Sequence, residues 1–480
     1  MHKRDVTPSK RVYKKPDSIT DRNTAFQSLK KPIQGAKYLQ LWGFNLYEGR
    51  KENSMLKLEM ETNITEIHIS DSFVILHSNN NDYYYMGASD NRSKDSAWPS
   101  KLQLYSPLSK ISVAKLFLGS DFVYVLDVKN DVYSWGMNMA GQLGHGTFEN
   151  VLEPKLVEDL SHNKSTNTLS PNLTDKILHY AEKIVDIACG ALHTIVQTSN
   201  SRLLACGNGI NYALGHENAK TTNVFKEIKF FTDNKLAIDK IACGISMSGC
   251  LASGKLYFWG SLGVSKYSIY KTPSTINIDG EVEDFKFGDA LIVMLNSKGD
   301  VFTMGENRLG QLGSRNYNDS LPTKVKLPYK AEYITCGNNH VIVVTRAKIF
   351  GWGSNLFGQV HPNSADKEIL EPIELNWISE SSPEFMKCKA YQTVLLSNQP
   401  LNLPETNTDA EKELSELKKT IEDLKMNYIK SKKENDKLKD QFKELHNTIS
   451  DIDTNNRDSF RFDPTEDPVV QSILISDEKI

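Results

Sequence analysis

Four cysteines, two histidines and one glycine-rich heptapeptide are the residues of this 480-residue chain that invite a chemical reading. Cys189, Cys243, Cys336 and Cys388 could offer thiolates to a zinc ion, which takes four such ligands at tetrahedral corners. They all occupy one slot of a repeated unit, however, and equivalent slots of a ring need not converge on a metal. They are read as small core residues. Gly249–Lys255 (GCLASGK) matches the first seven positions of a phosphate-binding loop. The eighth should be Ser or Thr and is Leu256, and the flanks read as strand–turn–strand rather than strand-to-helix. The match is discarded. His193 and His340 each stand three residues after a glycine, where an imidazole could serve as a general base. No paired carboxylates, Ser-His-Asp set or metal spacing accompanies them, so neither covalent catalysis nor a cofactor is expected. Their expected role is to bond nearby backbone and brace an inner strand.

The elements that carry these residues repeat. A bulky residue followed by glycine recurs as Trp42-Gly43, Met86-Gly87, Trp135-Gly136, Cys206-Gly207, Trp259-Gly260, Met304-Gly305 and Trp352-Gly353, at intervals of 44 to 53 residues with one of 71. A second marker precedes most of them: Gly119, Gly190, Gly244, Gly288 and Gly337 each lie 16 or 17 residues before the glycine of the next pair, and Ser70 precedes Gly87 by the same distance. Between the markers run strand–turn–strand segments such as DFVYVLD, Lys-Asn-Asp, VYSWG, rich in β-branched and aromatic residues. A period near 50 with four short strands is the pattern of a β-propeller blade. Tyr38–Asn45 has the Trp-Gly strand without a marker before it. Lys387–Asn398 has the marker's place without a Trp-Gly strand after it. The two chain ends are therefore expected to pair in one composite blade, which removes the exposed edge that an open ring would leave.

The phrases VYSWGMNMAGQLGHG, VFTMGENRLGQLGSRN and CGALHT resemble the regulator of chromosome condensation repeat family. The resemblance covers roughly residues 36–398 and implies an all-β, seven-bladed propeller with a composite closing blade. It weakens in WGSLGVSKYSIY, which lacks the Asn-x-x-Gly-Gln turn. It further implies one of two roles: an exchange factor for the small GTPase Ran, or an adaptor or scaffold. No exchange residue carries over, because the loops after the Trp-Gly pairs depart from the family's pattern.

After Pro404 the character changes. From Glu411 to Asp453 there is no glycine or proline, and heptads run without interruption. Position a holds Leu414, Ile421, Tyr428, Asn435, Phe442 and Ile449; position d holds Leu417, Leu424, Ser431, Leu438, Leu445 and Ile452. This predicts a coiled coil over 411–453. Asn435 at a core position favours a parallel dimer. So do the e positions Lys418, Lys425, Lys432 and Lys439, which an antiparallel pair would set against one another.

The flanking segments are polar. Residues 1–35 hold nine Lys or Arg against Asp5, Asp17 and Asp21, although the whole chain has a formal charge of −3. This basic arm, with Lys3–Lys15 as its densest part, reads as disordered, with a nuclear-import signal or a weak nucleic-acid contact as the functional reading. Residues 158–183 read as a loop insertion, 399–410 as a linker and 454–480 as an acidic disordered tail. The first residues hold no apolar leader, and no apolar run is long enough to span a bilayer. The chain is expected in the cytoplasm or the nucleus, not secreted and not in a membrane. Two functions follow: a propeller scaffold made bivalent by its coil and engaging protein partners such as a small GTPase, or a chromatin-bound exchange factor for Ran.

Overall fold

The computed structural model describes residues 36–43, 56–87, 103–161, 182–263, 268–315, 321–379, 383–397, 400–401 and 408–455. The basic arm, most of the 158–183 insertion and nearly all of the C-terminal tail lie outside them. Contacts divide the chain into two units, residues 1–404 and 405–480.

The first unit is a ring of seven four-stranded antiparallel blades. Blade two is typical: Val113–Leu118, Phe122–Asp127, Val132–Gly136 and Val151–Leu156, in that order from the axis outward. Blade three (first strand Ile184–Cys189), blade four (Lys240–Cys243), blade five (Val282–Phe287) and blade six (Ala331–Cys336) repeat this order. The second strand of each blade is buried nearly throughout, and in FVYVLD, LIVMLN and HVIVVT largely apolar, because neighbouring blades cover both of its faces.

Closure follows the expectation from sequence. Ala36–Gly43 pairs antiparallel with Gln392–Ser397, from Tyr38 opposite Ser397 to Gly43 opposite Gln392. Blade seven is thus Pro383–Lys389, Gln392–Ser397, Ala36–Gly43 and the first residues of Leu56–Ile69. Leu56–Ile69 continues past a bulge to become the first strand of blade one, so the closing blade and blade one share a strand. Gln40 is fully buried at this seam: its amide donates to Ser397 Oγ at 2.9 Å, and Leu401 N–H donates to its carbonyl at 3.1 Å. Trp42 joins Trp352, Met386, Cys388, Leu395 and Leu401 in one core cluster.

The Trp-Gly glycines have one shared cause. All seven have positive φ, and each backs onto the loop between the first two strands of its own blade. At Gly43 (φ +106°) a Cβ would stand 2.1 Å from the Tyr391 carbonyl oxygen, so the contact joins the two ends of the chain.

The second unit is described by one helix, Thr408–Asn455. It starts three residues before and ends two residues after the predicted 411–453 span. At 1.5 Å per residue, it is about 72 Å long.

Candidate functional site

The loops joining first to second strands and those joining third to fourth strands emerge at the same end of every blade. This end of the ring is built by the decapeptide turn and the marker glycines, so most of the sequence signals fall here.

The turn is a hydrogen-bonded unit repeated in blades two, five and six. In blade two, Leu143 N–H donates to Asn138 Oδ1 at 2.9 Å and Ala140 N–H donates to Gln142 Oε1 at 2.9 Å. Leu312 and Leu309 bond Asn307 and Gln311 in the same way, and Val360 and Phe357 bond Asn355 and Gln359. These side chains are buried and consumed by the turn. The turn also presents an acceptor to the next blade. Thr194 Oγ1 donates to the Gln142 carbonyl at 2.9 Å, Trp352 Nε1 to that of Gln311 at 3.0 Å, and Thr393 Oγ1 to that of Gln359 at 2.7 Å. In blade three the equivalent acceptor, Ala213 O, takes both Ser248 Oγ and Trp259 Nε1. The motif recurs because each blade needs its neighbour's carbonyl.

The histidines reach across blades, each to a hydroxyl of the next blade and to the backbone of the residue before it, Met247 for His193 and Gln392 for His340. His193 Nε2 lies 2.9 Å from Ser248 Oγ in blade four, and His340 Nε2 lies 3.1 Å from Thr393 Oγ1 in blade seven. Each hydroxyl spends its proton on a turn carbonyl, so each Nε2 must be the donor. Nδ1 of His340 is buried with no partner, and a second proton there would be an orphan. Burial holds His193 down to about 4 and His340 down to about 3, so both rings are neutral at physiological pH. Gly190 and Gly337 are glycine because a Cβ would meet these rings at 2.2 and 2.3 Å.

The cysteines fall in four blades as expected. Cys336 and Cys388 are buried and Cys189 and Cys243 half-buried. Burial pushes Cys243 and Cys336 up to about 12, which keeps them as thiols. Among the described residues no group of three or more His, Cys, Asp or Glu is placed to hold a metal ion. The near-match GCLASGK is a hairpin, with Met247–Ala252 running into a turn at Ser253 and Gly254 and then into Lys255–Ser261.

What remains for a partner on this face includes apolar side chains and, at the same turn position of blade five, the exposed Arg308. Met139, Ile210 and Leu356 project from the turns of blades two, three and six at 65%, 67% and 44% exposure. Asp121 in blade two and Asp289 and Glu306 in blade five lie in loops of the same face, and Glu306 is 3.7 Å from Arg308. Burial and the Glu306 carboxylate raise Asp289 above the usual carboxylate range. These residues escape the repeat signals because they vary within an otherwise regular turn, and that variation is the available signal.

The fold is a seven-bladed propeller whose regular turn recurs in blades two, five and six. The Regulator of chromosome condensation (RCC1) repeat matches residues 129–197 and 298–344. The chain is similar to the X-linked retinitis pigmentosa GTPase regulator of Canis lupus familiaris, 25% identical over 60% of this chain and 28% of that protein. It is similar to the Ultraviolet-B receptor UVR8 of Arabidopsis thaliana, 27% identical over 60% of this chain and 64% of that one, and to the RCC2 homolog of Danio rerio, 26% identical over 49% and 50%. It thus spans less than two thirds of these relatives. Among solved structures, human WBSCR16 superposes with a TM-score of 0.58 at 18% identity, covering 75% of this chain and all of that one. Prp20p of Saccharomyces cerevisiae, studied for its binding to Gsp1p and histones, superposes with 0.58 at 16% identity, covering 83% and 99%. At these identities the structural likeness concerns the fold.

Proposed function

We propose that this chain is a protein–protein interaction scaffold or adaptor that engages or regulates a small GTPase through its loop face, and that its C-terminal helix makes it bivalent. The observation that carries the reading is the division of labour on that face. The motif residues are buried in blade-to-blade bonds, while the variable turn positions Met139, Ile210 and Leu356 stand in solvent. Such exposed apolar side chains, with Arg308 at the same turn position of blade five, suit a protein partner. The likeness to a GTPase regulator supports the partner class.

The helix supports bivalency. Its predicted core residues Leu424, Leu438, Phe442 and Leu445 are each more than half exposed in the single chain. The reading pairs them, with Asn435, in a parallel homodimer, and continues the heptad seam through Leu414, Leu417 and Ile421. Residues 3–15 add a weaker reading, a nucleic-acid or nuclear-import contact. Cytoplasm and nucleus are the compartments this reading allows.

The alternative, exchange on Ran at chromatin, is supported by the fold shared with Prp20p. A release assay separates the two. With micromolar full-length chain, labelled nucleotide is expected to leave Ran at its intrinsic rate. Acceleration by several orders of magnitude would replace the scaffold reading with the exchange-factor one.

A further inference from the structure

The first strands of the blades line the central channel, and alternate residues of each strand face it, opposite core residues such as Phe285 and Met386. Two positions before the marker slot, blades three and four carry Ala188 and Ala242, which leave room. Blades five and seven carry Lys286 and Lys387 there. The marker slot itself, glycine in five blades, is Lys389 in blade seven. The side chain of Lys389 comes close enough to favour the thiolates of Cys189, Cys243 and Cys336, from three other blades. Three ammonium groups therefore share the channel at the end that opens on the loop face.

Two carboxylates stand near, Asp284, which is already taken, and Asp71, whose buried Oδ1 has no hydrogen-bond partner. Asp284 accepts from Lys240 and, at 2.9 and 3.0 Å, from Lys286. Asp71 accepts from Ser120 and lies 3.6 Å from Lys389. Tyr333, in the intervening blade, donates to the Met386 carbonyl at 3.0 Å. Lys387 has no acceptor among the described residues; the charged groups it faces are Lys389 and Lys286, and beside it lies the His68 ring, held below the usual imidazole range by burial and bonded to Glu66 at 3.2 Å. Burial, then Lys389 and Lys286, hold its ammonium down to about 8. An unmatched cation in a partly desolvated wall is costly, and a bound anion removes the cost. Solvent reaches the cluster, since the side chains of Lys286 and Lys389 are 28% and 25% exposed.

We propose that this end of the channel is a binding site for a phosphate-type oxyanion, held by Lys387 and Lys389 with Lys286 beside them. The site is independent of the scaffold reading. It takes a phosphate group either as the free ion or as carried on a partner's side chain.

Calorimetric titration of the full chain with inorganic phosphate, against chloride at matched ionic strength, tests it. Saturable binding and a phosphate-dependent rise in melting temperature are expected. Lys387→Gln and Lys389→Gln should each weaken binding about tenfold or more, the scale of one charge-assisted bond, while Lys129→Gln, exposed in the turn at the opposite end of blade two, should not. Without phosphate, Lys387→Gln should melt no lower than the unaltered chain, which a merely structural lysine would not allow. A phosphoserine peptide that binds more tightly than the free ion assigns the group to a partner; weaker binding assigns it to the free ion. No saturable phosphate binding, or unchanged affinity in Lys387→Gln, overturns the proposal.

Discussion

A chain of residues 46–398 is expected to lose the sharp thermal transition that residues 36–398 show, and to aggregate on heating. The missing strand, Ala36–Gly43, is the third strand of blade seven, and without it Gln392–Ser397 is an unpaired edge. The loss is large. Leu39, Leu41 and Trp42 are all at least 95% buried. Removing each from the core costs about 1.5–3 kcal/mol, against a total domain stability of about 5–15 kcal/mol. Gln40 adds two buried bonds to the C-terminal segment. One substitution should reproduce part of the effect: Gly43→Ala puts a Cβ against Tyr391 O, in a backbone conformation that alanine resists. Equal melting of 46–398 and 36–398 would mean that the ring is not latched by its N-terminus.

The second large effect is acid sensitivity. His193 and His340 have folded pKa values of about 4 and about 3, depressed from 6.5. The unfolded chain therefore binds more protons in that interval, and stability rises with pH across it. The contribution is fully present above pH 6.5 and is lost as pH falls toward 4 for His193 and toward 3 for His340. Each tenfold loss of proton affinity on folding corresponds to about 1.36 kcal/mol, so His193 alone contributes on the order of 3 kcal/mol. His145 and His361, also lowered by burial, act in the same direction, whereas Asp186 and Asp289, raised by burial, act against it. The variant His193→Gln isolates the histidine. Blade seven already carries Gln392 in this slot, so the exchange is sterically precedented. Chemical denaturation at steps from pH 7 to pH 4 should show a shallower loss of stability in the variant. Parallel curves would place the acid sensitivity elsewhere.

Much of this fold is legible in the chain because propeller geometry is written in short local signals. The Trp-Gly pair marks a positive φ and a close approach, and the marker glycine leaves space for the side chain three residues on. The complementary deficits of Tyr38–Asn45 and Lys387–Asn398 reveal the closing blade. What is not legible depends on what sits in the next blade. The partners of His193 and His340 lie 55 and 53 residues away along the chain. The channel lysines Lys286, Lys387 and Lys389 acquire meaning only when residues are ranked by distance from the marker slot, and no local pattern singles them out. The helix is the reverse case. Its heptads are plain, but a single chain leaves Leu438 and Phe442 in solvent.

Light scattering on the full chain and on residues 1–405, at tens of micromolar, tests the scaffold reading most directly, because bivalency separates it from a lone propeller. Twice the chain mass of 54.1 kDa is expected for the full chain, and a single-chain mass for residues 1–405. A monomeric full chain, or a dimer that survives removal of the helix, would contradict it.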